Sequence, residues 1–489
     1  MFFFLSFLLI FPVWLRGGTR LEMMGPAPWL ALAALVGMLF NPPLKNQETL
    51  SIARARVWNR FLSDPLLYVG LAFLFMLILQ WSNGPCEELF DVPSWSWIFG
   101  PPPRPGLPLF CINQDEALEM LHWFFPFYAA LLVIRNGFLR SQKLDLLKLL
   151  AVNAGLAAVF GLVQYLSGTQ RIYWLTTLKS QFFAAFGYSN HAGAFFVLVS
   201  VLAAGLLLRS LLKKERNEEW PWLASVLLVC MLAAVFSRSR AAILMTGFLV
   251  AAGAAYSFLR LGRKHSARGM ATALVCVTAS VVVAVCVIAV VPDNLVKAEM
   301  KGTTVEEVES RVDTNADTLK AAAWKIWGEH TWFGVGGWGY RHYLPHVVPK
   351  EEQKLSAPGG ANVHNDPLQF LTEFGVVGAG LLVATIVLLV FPAIRAVRRI
   401  RPPDEWDNRS RFIKIPPLGL ALLVGPCLTL AHSLGDLPFR SPAILWLWGA
   451  MLACASDFCE RVEPHRRHRR AVAEVEPAEG EPAEADEAG

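Results

Sequence analysis

The chain has 489 residues, 54% of them hydrophobic and 17% charged, with a mean hydropathy of +0.42 and a formal charge of +5. That is too apolar for a soluble multidomain protein of this size, so lipid must serve as its solvent. The small positive charge is the topological bias of a membrane protein and calls for no nucleic-acid partner.

Spanning the bilayer takes roughly 17 to 25 mostly apolar residues, because a lipid-exposed backbone must satisfy its own hydrogen bonds. Apolar runs lie near 1–15, 26–40, 65–82, 117–134, 147–167, 184–208, 220–236, 240–259, 270–291, 374–394, 415–433 and 441–458. They predict an all-α polytopic membrane protein of about 12 transmembrane helices. The first two runs are short for full spans. The first lacks a basic start and a small-residue cleavage site, so an uncleaved helix is expected there and not a signal peptide.

Lys and Arg favour cytoplasmic loops. With the N-terminus inside, segments 41–64, 135–148, 209–219, 260–268, 395–414 and 459–489 hold 28 of the 44 Lys and Arg. Both termini are therefore expected to be cytoplasmic. The chain divides into N-terminal helices 1–149 with an outer loop 83–116, a membrane domain 150–458 with a large outer loop 292–373, and a tail 459–489. The acidic Glu, Ala and Pro-rich end 471–489 reads as disordered.

In chain order, the first outer loop holds Cys86 and Cys111 among turn formers such as Pro101, Pro102, Pro103 and Gly106. An oxidising compartment favours a disulfide between them, with two free thiols as the alternative. Cys230, Cys276, Cys286, Cys427 and Cys454 fall in spans, with Cys459 at an inner helix end, and read as small core residues.

Ser237-Arg238-Ser239-Arg240 is a tight outer turn whose two arginines oppose the charge bias. It is either a solvated turn or an anion site, since guanidinium forks bind phosphate oxygens bidentately. Loop 292–373 is expected to concentrate function. Arg311 precedes a helical pattern, Leu319, Ala322, Ala323, Ile326 and Trp327, capped by Asp313 or Thr314. Trp324, Trp327, Trp332 and Trp338 suit the headgroup layer. The run Gly334-Val335-Gly336-Gly337-Trp338-Gly339 follows no strand and precedes no Walker lysine, so it reads as backbone that permits sharp turns and close approach to a ligand, and not as a nucleotide loop.

Val363-His364-Asn365-Asp366-Pro367-Leu368-Gln369 then leads to Glu373, Gly375 and Gly378 where the chain re-enters the membrane. His364 is the best-placed base, because an ordinary imidazole is largely neutral at pH 7. Its alternative reading is a cap or a surface hydrogen bond. A metal site from His342, His346 and His364 is disfavoured by Pro345 and by the missing His-Glu-x-x-His pattern. A hydrolase arrangement of Ser433, His432 and Asp436 lacks a nucleophile elbow. A transporter would place charge near the midplane, whereas these span interiors carry almost none.

Together, the order of spans, the Ser-Arg turn, an Arg before a helix with a Gly-Val-Gly run, and His-Asn with a downstream Glu-x-Gly resemble the bacterial O-antigen ligase and polymerase family over roughly residues 150–455. Phe186-Gly187-Tyr188-Ser189-Asn190-His191 looks like the family's Asn-containing start of a middle span. Two departures stand out. A second arginine, Arg240, follows the Ser-Arg pair and can share or replace the role of Arg238. Asp366 and Pro367 occupy positions where an aromatic or aliphatic residue is common.

The resemblance implies a GT-C-like, metal-independent glycosyltransferase of the inner membrane, without cofactor, acting at the periplasmic face on a glycan carried by undecaprenyl diphosphate. In ligases the acceptor is a sugar of the lipid A core. By position, His364 and Arg311 would be catalytic, and Arg238, Arg240, Asn365, Gly336, Gly337 and Asn190 would bind substrate. A repeat-unit polymerase and a protein glycosyltransferase share the donor and stay open as alternatives.

Overall fold

The computed structural model describes residues 1–19, 21–45, 47–91, 96–177, 181–212, 218–261, 314–348, 362–399 and 415–460. The expected span 270–291, Arg311, Asp313, Cys276, Cys286 and the tail beyond residue 460 lie outside the described residues.

The protein is an all-helical, polytopic membrane protein with two small β-hairpins. In chain order it forms α1 (Phe2–Trp14), α2 (Leu21–Met24), α3 (Pro26–Phe40), α4 (Leu50–Ser63), α5 (Pro65–Ser82), β1 (Glu88–Asp91), β2 (Ser96–Phe99), α6 (Gln114–Leu132), α7 (Arg140–Leu166), β3 (Arg171–Ile172) and β4 (Thr176–Thr177). There follow α8 (Ser189–Leu212), α9 (Trp220–Phe236), α10 (Arg240–Leu261), α11 (Thr314–Glu329), α12 (Gly339–Val347), α13 (Asp366–Arg398), α14 (Pro417–Ser433) and α15 (Pro442–Cys459). Among the described residues, six helical segments are long and apolar enough to cross a membrane: α5, α6 with its continuation to Gly137, α7, α8, α13 and α15. Shorter apolar helices are α1, α3, α9, the first part of α10, and α14.

Burial separates lipid from protein. Helix α15 is buried along nearly all its length, with Trp446 and Trp448 enclosed, and α8 buries most of its residues against α9 and α14. By contrast Leu71, Phe75 and Ile78 on α5, Leu156 and Val163 on α7, and Val383, Val387 and Phe391 on α13 are exposed, as lipid-facing side chains would be. Cys427 is exposed as well and is not the core residue expected.

Three features depart from the hydropathy reading. Helix α4 occupies the segment read as an inner loop; it buries Ala53 and Val57 while carrying Arg54, Arg56 and Arg60, the pattern of a helix lying in the interface. The loop 83–116 contains an antiparallel hairpin pairing Glu88 with Phe99 and Asp91 with Ser96. Most consequentially, α6, α7 and α13 each begin several residues before their apolar runs, at Gln114, Arg140 and Asp366. Hydropathy marks where lipid begins, whereas the helix continues wherever a cap and protein neighbours satisfy it.

Helix α13 is not continuous. Gly375 sits at φ 62° and ψ −171°, which breaks the helix and frees backbone groups on both sides. The segment 331–336 fills the break: Val335 N and Gly336 N donate to Thr372 O and Glu373 O at 3.2 and 2.9 Å, and Val376 N and Val377 N donate to Thr331 O and Trp332 O at 2.9 and 3.1 Å. A Cβ on Gly334 would stand 2.4 Å from the Glu373 carbonyl carbon, and one on Gly375 would stand 2.3 Å from that of Trp332. Only glycine permits this approach.

Candidate functional site

Three short segments converge at one end of the bundle: the Ser237–Arg240 turn, the residues entering α13, and the loop between α14 and α15. Asn365 caps α13, accepting from Leu368 N at 2.9 Å, and its amide donates to Leu434 O at 3.0 Å. Asp366 N donates to Asp436 O at 3.3 Å, and the Asp366 carboxylate accepts from Phe439 N at 2.8 Å. These bonds stitch the His-Asn-Asp segment to residues 434–439.

Asp436 is the hub. Its Oδ1 lies 3.5 Å from Nδ1 of His364 and accepts from the Tyr188 hydroxyl at 3.4 Å, while Oδ2 lies 3.9 Å from Nε2 of His432. Asn190 donates to the Tyr188 hydroxyl at 2.8 Å, and His191 donates to Leu437 O at 2.9 Å. Burial alone would raise the Asp436 carboxyl, but the hydrogen bond from His364 and the imidazoles of His191, His432 and His364 outweigh it and hold the group below the usual carboxylate range. His364 itself is half-exposed, so its ring can meet a ligand while Asp436 fixes one nitrogen.

A cavity of about 550 Å³ opens beside the hub, lined by Arg238, Arg240, Ser189, Asn190, His432 and Asp436 among others. The Ser-Arg turn forms part of this cavity's wall: Ser237 and Ser239 are buried, each forming local hydrogen bonds that shape the turn, while Arg240 is exposed. Arg238 has φ 62°, His364 φ 53° and Trp338 φ 59°. Left-handed backbone at three bulky residues, one in each sequence motif, is strain that packing must offset, and such strain gathers at functional sites.

Arg440 lies behind the hub. Its guanidinium is buried, with Nη2 donating to Glu373 Oε2 at 2.8 Å and Nε 3.7 Å from Asp366 Oδ1. It stacks 4.5 Å from the ring centroids of both Trp338 and Phe370. One cation therefore ties the glycine run, α13 and the start of α15 together. Trp338 belongs to this packing and not to the headgroup layer, whereas Trp324 and Trp332 are exposed as expected.

The expected site residues separate into groups. Arg238, Arg240 and Asn190 line the cavity, and His364 joins it through Asp436. Asn365 is occupied in capping. Gly336 and Gly337 are buried, where an added Cβ would meet Cys111 and Met120, so their close approach is to protein. Asp436, Arg440 and Tyr188 were not chosen from the sequence as site residues. Asp436 was considered only as part of a hydrolase, and the signal that could have singled out Arg440 was a charge standing just before an apolar run. The span ends also carry more charge than hydropathy suggested: Glu119, Asp366, Glu373 and Arg440 are all buried.

A helix does run through Pro345, contrary to the sequence reading, but His342 and His346 turn to different carboxylates, Glu116 at 2.8 Å and Glu88 at 3.5 Å. No group of three or more His, Cys, Asp or Glu among the described residues is arranged to hold a metal ion. Cys86 and Cys111 are both buried and are free thiols in this structure. A separate, mostly apolar cavity of about 220 Å³ is lined by Phe124, Phe370, Leu382 and Trp448 among others, with no Lys or Arg among the described lining residues.

Fold and site together define a polytopic membrane protein with a cationic, histidine-bearing cavity at one end of its helices. Residues 223–383 match the family model described as O-antigen ligase. The match is narrower than the resemblance over 150–455; it includes Arg238, Arg240, Arg311 and His364 and leaves Asn190, Asp436 and Arg440 outside. No curated protein matches the chain.

Proposed function

We propose that the protein is an O-antigen ligase-like glycosyltransferase, moving a glycan from undecaprenyl diphosphate to a lipid A core sugar at the periplasmic face of the inner membrane. The observation that carries this reading is the cavity whose wall combines Arg238 and Arg240 with the Asp436 carboxylate that also engages His364.

The chemistry needs little more. A diphosphate is a good leaving group, so fixed cations near the membrane surface serve mainly to stabilise the charge that develops on it. Arg238 and Arg240 supply that role, joined by Arg311. The acceptor hydroxyl is a poor nucleophile; His364 takes its proton as the oxygen attacks the anomeric carbon. The carbon–oxygen bond to the phosphate breaks, and the diphosphate departs with the electron pair. Asp436 orients the imidazole through Nδ1 and stabilises the imidazolium that forms, the work of a carboxylate beside a general base. In-line attack inverts the anomeric centre, and retained configuration in the product would rule that out.

A strain lacking the protein distinguishes the acceptor classes. Lipid-linked polymer accumulating beside bare lipid A core supports the ligase. Single lipid-linked repeats point to a polymerase, and intact lipopolysaccharide with lost glycoprotein points to protein glycosylation. Unchanged levels of every lipid-linked glycan contradict the transferase reading.

A further inference from the structure

A second cavity, of about 630 Å³, lies on the other side of Arg238 and shares Arg238 and Gln181 with the first. Its polar wall is different in kind. Gln164, Gln170 and Gln181 contribute amides, Thr169 and Thr177 hydroxyls, and Tyr165 an aromatic face. Among the described lining residues no carboxylate occurs, and Arg238 at the junction is the single cation.

The rim of this cavity is held in a strained shape. The β3–β4 hairpin turns through Tyr173 and Trp174, both with positive φ, at 57° and 59°. Three bonds fix it: the Tyr173 hydroxyl to Trp14 O, Trp174 Nε1 to the Ser167 hydroxyl at 2.8 Å, and Gln164 Nε2 to Arg171 O at 3.1 Å. Gly161 lets the chain at Phe183 and Ala184 close the floor, since a Cβ there would come within 2.7 Å of both. Gln164 is only 2% exposed, and with its amide nitrogen committed to Arg171, its Oε1 has no hydrogen-bond partner among the described residues. A buried acceptor without a partner is costly unless a ligand supplies the donor.

We propose that this second cavity is a saccharide subsite, binding an uncharged, hydroxyl-rich sugar ring of a substrate next to the diphosphate site. The inference rests on the transferase reading for its biological context. Neutral amides and hydroxyls both donate and accept, as sugar hydroxyls do, and Tyr165 can cover the C–H face of a pyranose. A polyanion would call for more cations than the described wall supplies, and a polyprenyl chain would leave the amides unpaired. Arg238 marks where sugar gives way to phosphate.

The ring can come from the donor glycan or from the acceptor. Thr177 is exposed on the rim, so a Thr177→Cys variant of the full-length protein in detergent carries a reporter without disturbing the core. Its labelling by a polar maleimide is followed by peptide mass. Saccharides released by mild acid from the lipid-linked glycan of cells lacking this protein form one arm, and saccharides released from the acceptor glycolipid form the other. Slowing of at least fivefold in the first arm assigns the subsite to the donor, and slowing in the second assigns it to the acceptor. Protection should fall in both Gln164→Leu and Gln170→Ala backgrounds, the second leaving the hairpin anchor intact. Labelling unslowed by either saccharide preparation, or protection unchanged in both backgrounds, overturns the proposal. Protection without any glycan transfer by the unmodified protein would instead sink the transferase reading and leave the subsite standing.

Discussion

Two buried ion clusters, one beside the candidate site and one at the junction of α5 and α6, use similar residues to different ends. At the junction, Asp64 caps α5 by accepting from Leu66 N at 3.1 Å, receives Arg135 through both Nε and Nη2 at 2.9 and 3.1 Å, and accepts from Asn136 at 3.0 Å. The remaining Arg135 nitrogen, Nη1, donates to Leu388 O of α13 at 2.9 Å. Both carboxylate oxygens and all three guanidinium nitrogens are engaged. The Arg440 cluster holds two carboxylates for one guanidinium. Asp366 Oδ1 and the Nε and Nη1 of Arg440 have no hydrogen-bond partner among the described residues. A saturated cluster locks helices; an unsaturated one, next to strained backbone, keeps polar capacity in reserve beside the reacting groups.

The largest test of that contrast removes the base. His364→Ala should lower transfer by about 10²- to 10⁴-fold, the usual contribution of a positioned general base, with unaltered membrane insertion. Activity near that of the unmodified protein would move the chemistry elsewhere. Next, Arg440→Met and Arg135→Met should each destabilise the protein by about 3–5 kcal/mol, because each strands a buried carboxylate. Only Arg440→Met should also reduce turnover in the fraction that remains folded; equal turnover in both variants would erase the functional distinction between the clusters.

Asp436→Asn should reduce turnover about 10- to 100-fold, as loss of a carboxylate behind a working imidazole does. The pH dependence has a definite sign. Since the folded Asp436 carboxyl is held below its ordinary value of about 3.9, its stabilisation is complete above that pH and lost as pH falls through the folded value. The stability gap between the unmodified protein and Asp436→Asn should shrink as pH falls below about 4, where the carboxylate is protonated. A gap that closes instead near neutrality would assign the titration to another group. Chelation should have the smallest effect: transfer unchanged by excess EDTA, with loss restored by a divalent ion counting against an arginine-only site.

Much of this architecture was legible in sequence because hydropathy records contact with lipid directly. Eleven of the twelve expected spans correspond to described helices, and the Ser-Arg turn, the α11 surface helix and the His-Asn segment lie where spacing placed them. What hydropathy missed lies just outside the apolar runs. Asp366 and Glu373 entered α13, and Glu116, paired with Arg341 and His342, entered α6, because a protein partner can stabilise a helix where lipid cannot. The role of Asp436 depends on contacts with His364 and Tyr188, 72 and 248 residues away in the chain, which no local pattern records. The glycine run reads in sequence as backbone open to a ligand, but what it approaches is protein, the break at Gly375, which exists only once the chain has folded.

A disulfide between the cysteines of loop 83–116 rests on the expected outer placement of that loop and is a proposal. Protein matured in an oxidising space and alkylated under denaturing conditions without reductant should leave Cys86 and Cys111 unlabelled, and labelling of both would refute the bond.

The most direct measurement couples glycan transfer to carrier release. Purified protein is given the lipid-linked glycan and acceptor glycolipid extracted from cells that lack it, and undecaprenyl diphosphate is quantified beside the product. The account predicts one carrier diphosphate released for each glycan transferred, with both signals lost together in His364→Ala and in the Arg238→Ala, Arg240→Ala double variant. Transfer that persists in these variants, or carrier release without transfer by the unmodified protein, would contradict it.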